Sequence, residues 1–382
     1  MVGSDFIIIG AGFYGSVLAE RIATVLGKRV TLVDRRPHLG GNSASAIDSA
    51  TGIECHTYGS HIFHTSKENV WKYVCSFTHF NSYQHKVFAR YNGKVYTLPI
   101  NLKTINDYFG VTLAPGDVPQ FLRDEIAKGG IAAPRNLEEK AISLVGRSLY
   151  EAFIKGYTFK QWNKDPRELP ESIIMRLPVR ANYNNNYFND PYQGIPTEGY
   201  GSVFERMLRH PNIDLRLKTT LNEIRHEIPE TATVIYTGMI DELFDYALGV
   251  LEWRSLDFSW ETHPVADYQG TSVMNYSDGD IPYTRIHEFK HYHPERRAVF
   301  ESPATIVCKE FSSDYGIGKE AYYPVNTARN TALYATYMDL FKSRYPRWRI
   351  GGRLGAYQYW DMDKTIEQAL LEFDTMIKET GR

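Results

Sequence analysis

The stretch Phe6-Ile-Ile-Ile-Gly-Ala-Gly-Phe-Tyr-Gly15, continued by Val30-Thr-Leu-Val-Asp34, decides the fold. Phe6 to Ile9 is a short apolar, β-branched run that predicts a strand buried on both faces. Gly10, Gly12 and Gly15 follow at G-x-G-x-x-G spacing as a helix opens. Gly10 serves a tight turn, Gly12 lets a pyrophosphate approach the backbone, and Gly15 lets helix press on strand. The helix is expected to carry Val17, Leu18, Ile22 and Val25 on one face and to stop at Gly27. Val30 to Val33 predicts a second strand, after which Asp34 stands where an acid accepts hydrogen bonds from a ribose. A pyrophosphate would sit on the free N–H groups and positive dipole end of the helix. The glycine spacing alone is weak evidence; strand, glycines, helix, strand and acid in order within one βαβ length make it specific.

The next residues choose the cofactor. Arg35-Arg-Pro-His-Leu-Gly-Gly-Asn42 sets Gly40 and Gly41 just beyond the acid. A nicotinamide site has no need of that pair, whereas a buried flavin lying close to backbone does, so the reading is FAD.

With 382 residues the chain has room for two or three domains. Hydrophobic content of 43% and charged content of 23% describe an ordinary globular protein. Lys and Arg number 43 against 45 Asp and Glu, a formal net charge of −2. Nothing global draws the chain to nucleic acid or to an anionic membrane, so any bound anion must be met by locally placed cations. Cys55, Cys75 and Cys308 show no metal or redox spacing. The first strand begins almost at Met1, and no apolar run approaches membrane-spanning length, which predicts a cytoplasmic protein. The 27 tyrosines against 19 phenylalanines offer flat faces with polar tips, suited to sugar or base recognition as well as to core packing.

Farther along, His61 and His64 lie three apart beside small residues; they could line a flavin ring, and with no third ligand nearby a metal is not expected. Asn92-Gly93, flanked by alternating residues, predicts a hairpin and a new structural unit from about residue 80. Residues 101–176 read as helices, one from Leu137 ending at Gly146 and one from Ser148 to Lys155 ending at Gly156, with Leu149 and Phe153 on a shared face. Tyr157 and Trp162 follow at a helix end. From Asp165 to Arg180 three prolines and many polar residues suggest a mobile loop. Arg176 lies inside it and reads, on composition alone, as a solvated charge. Tyr200 onward returns to helix, and Val234-Ile-Tyr returns to the parallel sheet. The runs at Ser272–Tyr276, Ala298–Phe300 and Ala304–Cys308 read as antiparallel strands, with Arg285 at the end of another. Ile350-Gly-Gly-Arg353 makes a further cofactor contact, and a helix bearing Ile366, Ala369, Leu370, Phe373 and Ile377, capped by Asp361 or Asp363, closes the chain. The fold class is therefore α/β + α + β. A discontinuous Rossmann-like FAD-binding domain (1–80, 201–255 and 346–382) carries a small helical domain (101–176, with the mobile loop at 165–180). An antiparallel β-sheet substrate domain (81–100, 177–200 and 256–345) completes it.

Over essentially its full length the chain resembles the bacterial UDP-galactopyranose mutases. The motifs that carry this are Gly10-x-Gly12-x-x-Gly15, Gly40-Gly-Asn42, Tyr58-Gly-Ser-His61-Ile-Phe-His64-Thr65, Ile154-Lys-Gly-Tyr157-Thr-Phe-Lys-Gln-Trp162, Tyr192-Gln-Gly-Ile-Pro, Tyr283-Thr-Arg285, Tyr322-Tyr-Pro and Gly351-Gly-Arg353. The resemblance implies an isomerase that interconverts UDP-galactopyranose and UDP-galactofuranose by ring contraction with no net redox change. It implies FAD that is active when reduced, with N5 attacking the anomeric carbon, and a reductant such as NAD(P)H. It gives Arg176 and Arg285 the role of a diphosphate clamp and adds His64 as catalytic. His85, Phe153, Tyr157, Thr158, Trp162, Tyr187, Tyr323, Tyr359 and Asp361 become substrate contacts. Phe13, Asp34, Asn42, His61, Ile62, Arg353 and Met362 join the glycines around FAD. Three positions depart from the family pattern: Asn163 replaces a glycine, Trp360 a tyrosine, and His85 an asparagine. Sugar choice is thus left open between UDP-galactose, UDP-N-acetylgalactosamine and dTDP-fucose. An FAD-dependent amine oxidase-like enzyme is the runner-up, and a homodimer is one assembly to test.

Overall fold

The computed structural model describes residues 3–174 and 177–379. Phe6–Ile9 lies at the centre of a five-stranded parallel sheet in the order Trp348–Ile350, Thr233–Tyr236, Phe6–Ile9, Val30–Val33, Ile213–Arg216. Phe6 pairs with Val30 on one side and Thr233 on the other, so start, middle and end of the chain meet in one sheet. Ile7 and Ile8 are fully buried, as an apolar run covered on both faces requires. The helix Phe13–Val25 packs on the sheet and on the last helix, Met362–Glu379. Val17, Leu18 and Ile22 are buried, each worth roughly 1.5–3 kcal/mol against exposure. Val25, expected on the same face, is 49% exposed at the last helical position. Gly15 is required by packing, since a Cβ there would sit 2.0 Å from the carbonyl oxygen of Gly10.

The second sheet has seven strands in the order Tyr323–Pro324, Trp253–His263, Thr305–Asp314, Arg285–Glu288, Val273–Tyr276, Val87–Tyr91, Lys94–Leu98. It is antiparallel except where Val273–Tyr276 runs parallel to Val87–Tyr91, a pair that the purely antiparallel expectation missed. The hairpin turns at Asn92 and Gly93 with φ of 48° and 74°, the conformation a two-residue loop of this kind demands. Arg285 opens its strand rather than ending it, because Ile286 is drawn into the sheet core. Ala298–Phe300, expected as strand, falls instead in a short helix, Arg297–Phe300, because Val299 packs against the cluster of Ile53, Phe289 and Tyr292.

The helical unit gathers around Leu149, Tyr150 and Phe153, packed with Ile105, Ile142 and Tyr96. The helix expected to stop at Gly156 does not stop: Arg147–Tyr150, a π turn at Glu151–Lys155 and Gly156–Trp162 follow without a break. Gly156 has helical φ of −66°. It is glycine because a Cβ would lie 2.1 Å from the carbonyl oxygen of Ser277 on the sheet unit. Beyond Trp162, the turns Pro166–Glu168 and Glu171–Ile174 are anchored by buried Pro166 and Leu169. Ile174, Leu177 and Val179 pack on the helical core, tighter than a proline-rich polar composition suggests. No helix among the described residues is long and apolar enough to cross a membrane.

Candidate active site

A cavity of about 2090 Å³ runs from the carboxyl ends of the parallel strands to the face of the mixed sheet. That is about twice the largest of ordinary small-molecule sites, as two ligands side by side would need. Every residue expected to contact the cofactor lines it: Gly10, Gly12, Phe13, Gly15, Asp34, Gly40, Gly41, Asn42, His61, Ile62, Arg353 and Met362. Of the residues expected around the substrate, His64, His85, Tyr157, Trp162, Tyr187, Arg285, Tyr323, Tyr359 and Asp361 line it as well. Phe153 and Thr158 do not. Phe153 is 6% exposed among Tyr91, Tyr96 and Tyr108 in the helical core, and Thr158 is buried on the same helix. Arg176 lies outside the described residues.

The cofactor end is built from backbone. Gly12 N-caps the Phe13–Val25 helix without a side chain, so the first-turn N–H groups face outward. A Cβ on Gly12 would meet nothing closer than the Gly41 Cα at 3.9 Å, so the two glycine pairs form a wall with no side chains. Asp34 accepts the Ala11 N–H at 2.7 Å on one oxygen and the Arg36 N–H at 2.8 Å on the other. Each oxygen keeps a lone pair for a ribose hydroxyl. Arg353 carries a buried Nη2 with no protein partner. A wall that backbone alone forms, a helix N-terminus and an unpaired guanidinium nitrogen fit a flavin dinucleotide. His61 donates from Nδ1 to the Gly59 carbonyl at 2.7 Å, which leaves Nε2 an acceptor toward the cavity. Burial pushes its imidazole down to about 4, so it is neutral.

The substrate end is built from charge. Arg285 donates from Nη2 to the Tyr157 hydroxyl, and its Nε stands 3.2 Å from Glu310 Oε1, in ion-pair range though not aligned as a hydrogen bond. Glu310 Oε2 accepts from His287 Nε2 at 3.0 Å; His287 Nδ1 accepts from Ser60 Oγ at 2.5 Å, and Tyr292 donates to Ser60. Burial works to raise the Glu310 carboxyl, but Arg285 and His287 hold it down at about 2. Burial likewise works to lower Arg285, and Glu310 more than offsets this. The guanidinium is thus a permanent charge, and with Nη2 on Tyr157 and Nε facing Glu310, Nη1 is left for an anion. Tyr323 and Tyr359 lie tilted at 44° with centroids 5.5 Å apart; Tyr359 is 56% exposed, yet desolvation of its hydroxyl and the nearby Asp361 raise it to about 12, so it acts as a neutral donor.

Between the two ends stand the histidines. His64 Nδ1 is 2.7 Å from Asp190 Oδ2, and its ring stacks on Phe188 with centroids 3.6 Å apart. The antiparallel pairing of Phe63–Thr65 with Tyr192–Gly194 brings Asp190 there. His85 is anchored by the Tyr83 hydroxyl at 3.1 Å, and burial drives it down to about 3. Asp361 is exposed at the cavity edge, yet desolvation by the protein around it pushes its carboxyl up against the charge of Arg353. Sequence reasoning missed Asp190 and Glu310, which carry no local signal. It also passed over Arg36, whose guanidinium lies 4.4 Å over the Tyr58 ring and donates to Asn42 at 2.8 Å. The doubled arginine after Asp34 was the available clue. Among the described residues one group, Asp267, Glu288 and His291, has metal-ligand spacing; His61 and His64 are not part of it.

Residues 152–359 match the family model described as UDP-galactopyranose mutase, and residues 8–77 that of an NAD(P)-binding Rossmann-like domain. The chain is 43% identical over 382 residues to a probable UDP-galactopyranose mutase of Klebsiella pneumoniae, covering 100% of this chain and 97% of that one. It is 39% identical over 372 residues to the dTDP-fucopyranose mutase of Escherichia coli, covering 95% and 96%. A crystal structure of reduced UDP-galactopyranose mutase superposes with a TM-score of 0.75 over 98% of this chain and 96% of that one; at 17% identity this likeness shows the fold.

Proposed function

The chain belongs to the UDP-galactopyranose mutase family, and from that premise we propose that it interconverts UDP-galactopyranose and UDP-galactofuranose on a reduced FAD. The observation that carries the reading is the single cavity in which a glycine-walled dinucleotide cradle faces a half-buried guanidinium that donates to the Tyr157 hydroxyl. What FAD supplies when bound and reduced is a nucleophilic nitrogen for the anomeric carbon, with no net redox change over a turnover.

The protein's own residues do the rest. Gly10, Gly12, Gly40 and Gly41 let the dinucleotide lie against backbone, with its pyrophosphate on the helix N-terminus and its ribose on Asp34. Arg353 offers its unpaired nitrogen to the cofactor. Arg285 takes the diphosphate. As the anomeric bond breaks, that diphosphate gains charge, and a guanidinium there favours the departing form over the bound ground state. Glu310 keeps Arg285 charged, and the neutral hydroxyls of Tyr157, Tyr323 and Tyr359 donate to phosphate or sugar oxygens. Arg176 is the second cation of the clamp in this proposal, carried by the 165–180 stretch. His64, held at Nδ1 by Asp190, presents Nε2 to the sugar. Tyr157 and Trp162 hold the nucleotide.

The test is to incubate dithionite-reduced protein separately with UDP-galactopyranose and UDP-galactofuranose and separate the products. Interconversion only after reduction supports the proposal; equal turnover by oxidised protein overturns the flavin-nucleophile route. The identity to a dTDP-fucopyranose mutase makes dTDP-fucopyranose the second substrate to run in parallel. Oxygen consumption with an amine would favour the oxidase alternative.

A further inference from the structure

Lys160 lies between Tyr157 and Trp162 on the helix Gly156–Trp162, and its ammonium donates to three backbone carbonyls: Tyr276 at 2.6 Å, Asp278 at 2.9 Å and Tyr283 at 3.1 Å. An ammonium has three N–H donors, so all are spent. The three carbonyls belong to the connection between the strands Val273–Tyr276 and Arg285–Glu288. One cation therefore ties the helix that carries Tyr157 to the strand that begins with Arg285. Two other contacts run along the same seam. Gly156 lies too close to the Ser277 carbonyl oxygen for any side chain, and the Gln161 carbonyl accepts from Arg254 Nε at 2.9 Å and Ser312 Oγ at 2.6 Å. Lys160 itself does not line the cavity, whereas Tyr157, Gln161 and Trp162 on either side of it do.

We propose that Lys160 is a positioning residue of the anion clamp: by fixing the Tyr157 helix against the Arg285 strand, it aims the guanidinium at the substrate's diphosphate. The proposal rests on the mutase reading. The Tyr157–Arg285 hydrogen bond closes only at one separation of helix and strand, and misplacing a positioning group by about 1 Å costs on the order of 100-fold in rate. The ammonium also titrates where it can be followed. Burial lowers Lys160 to about 8, opposed by the Asp278 and Asp280 carboxylates that face it from the same turn. Deprotonation turns one donor into a lone pair facing a carbonyl oxygen, so the tie slackens as pH rises through about 8.

The experiment compares wild type, Lys160→Met and Lys160→Arg, reading bound flavin by absorbance and UDP affinity by calorimetry from pH 7 to 9.5. UDP affinity is expected to fall about tenfold in Lys160→Met, the loss of one charge-assisted bond's worth of order, with flavin content unchanged and partial recovery in Lys160→Arg. Wild-type affinity is expected to weaken through pH 8, and the Met variant is expected to lack that step. UDP affinity within twofold of wild type in Lys160→Met, or a flat wild-type profile, overturns the proposal. If Lys160→Met does not fold, the wild-type pH profile and Lys160→Arg decide alone. Because UDP binding is read without turnover, failure of the clamp and failure of the mutase reading remain separable.

Discussion

From Gly10 to Gly41 the cavity is walled by main chain, and the contacts there are fixed by which residues lack a Cβ. From Tyr157 to Arg285 it is walled by ionisable side chains, and the contacts are fixed by which polar side chain holds which other, Arg285 by Glu310, Glu310 by His287, His64 by Asp190. The two ends should therefore fail in different ways. Filling space at the first removes the cofactor altogether. Removing a charge at the second leaves a folded, flavin-bearing protein that handles its substrate poorly.

The largest effect is expected from Gly12→Val, whose side chain enters the wall on which the cofactor lies. The purified variant should be much paler, with its flavin-to-protein absorbance ratio reduced by roughly fivefold or more, since overfilling costs about 1–3 kcal/mol. A yellow variant would mean that the cradle is not backbone-limited. Next comes Arg285→Ala, which removes a charge-assisted contact worth about 1.5–3 kcal/mol. Its kcat/KM should fall by roughly tenfold to a hundredfold with flavin retained, and loss of flavin as well would dissolve the distinction between the ends. Asp190→Asn keeps the shape but not the charge beside His64, and outer partners of this kind are worth about 10-fold or more. The fall is expected in kcat, with KM and flavin little changed; histidine nitrogen shifts in the NMR spectrum would report the altered His64 tautomer.

Acid sharpens the comparison further. His56, His61 and His85 are pushed by burial down to about 3, 4 and 3, so the folded protein stays unprotonated where the unfolded chain, at the ordinary 6.5, takes up protons. The unfolded state binds more protons below pH 6.5, so stability is lost as pH falls from there toward 4, by about 1 kcal/mol per pH unit for each histidine. Thermal melts should show this slope, and His85→Asn should reduce it without changing flavin content. Phe153→Leu is expected to do least. As a member of the helical core it should lower stability by about 1 kcal/mol and leave KM unchanged; a raised KM would return Phe153 to the substrate site.

The cofactor end was largely readable because its signal is local. Gly10, Gly12, Gly15 and Asp34 sit within one βαβ unit; Gly10 and Gly15 mark approaches that no side chain allows, and Gly12 keeps the cradle open. Gly156 shows the limit of that logic. A glycine after a helical run reads as a stop, but its reason lay across the fold, in the carbonyl of Ser277. The strand expected at 298–300 failed similarly, because Val299 is held by a cluster of Ile53, Phe289 and Tyr292 that the local pattern does not show.

What the sequence determined by itself was the parallel core, the flavin-sized glycine wall and, through motif resemblance, many of the polar and aromatic residues around the cavity. What only the tertiary structure decided was how the charges are partnered. His64 meets Asp190 across 126 residues, Tyr157 meets Arg285 across 128, and Lys160 reaches the Tyr276 carbonyl across 116. A backbone turn is set by neighbours a few residues away, so its rule is written in the spacing. A buried charge is stabilised by any opposite charge or carbonyl that folding brings within about 3 Å, and sequence spacing holds no record of which one that is.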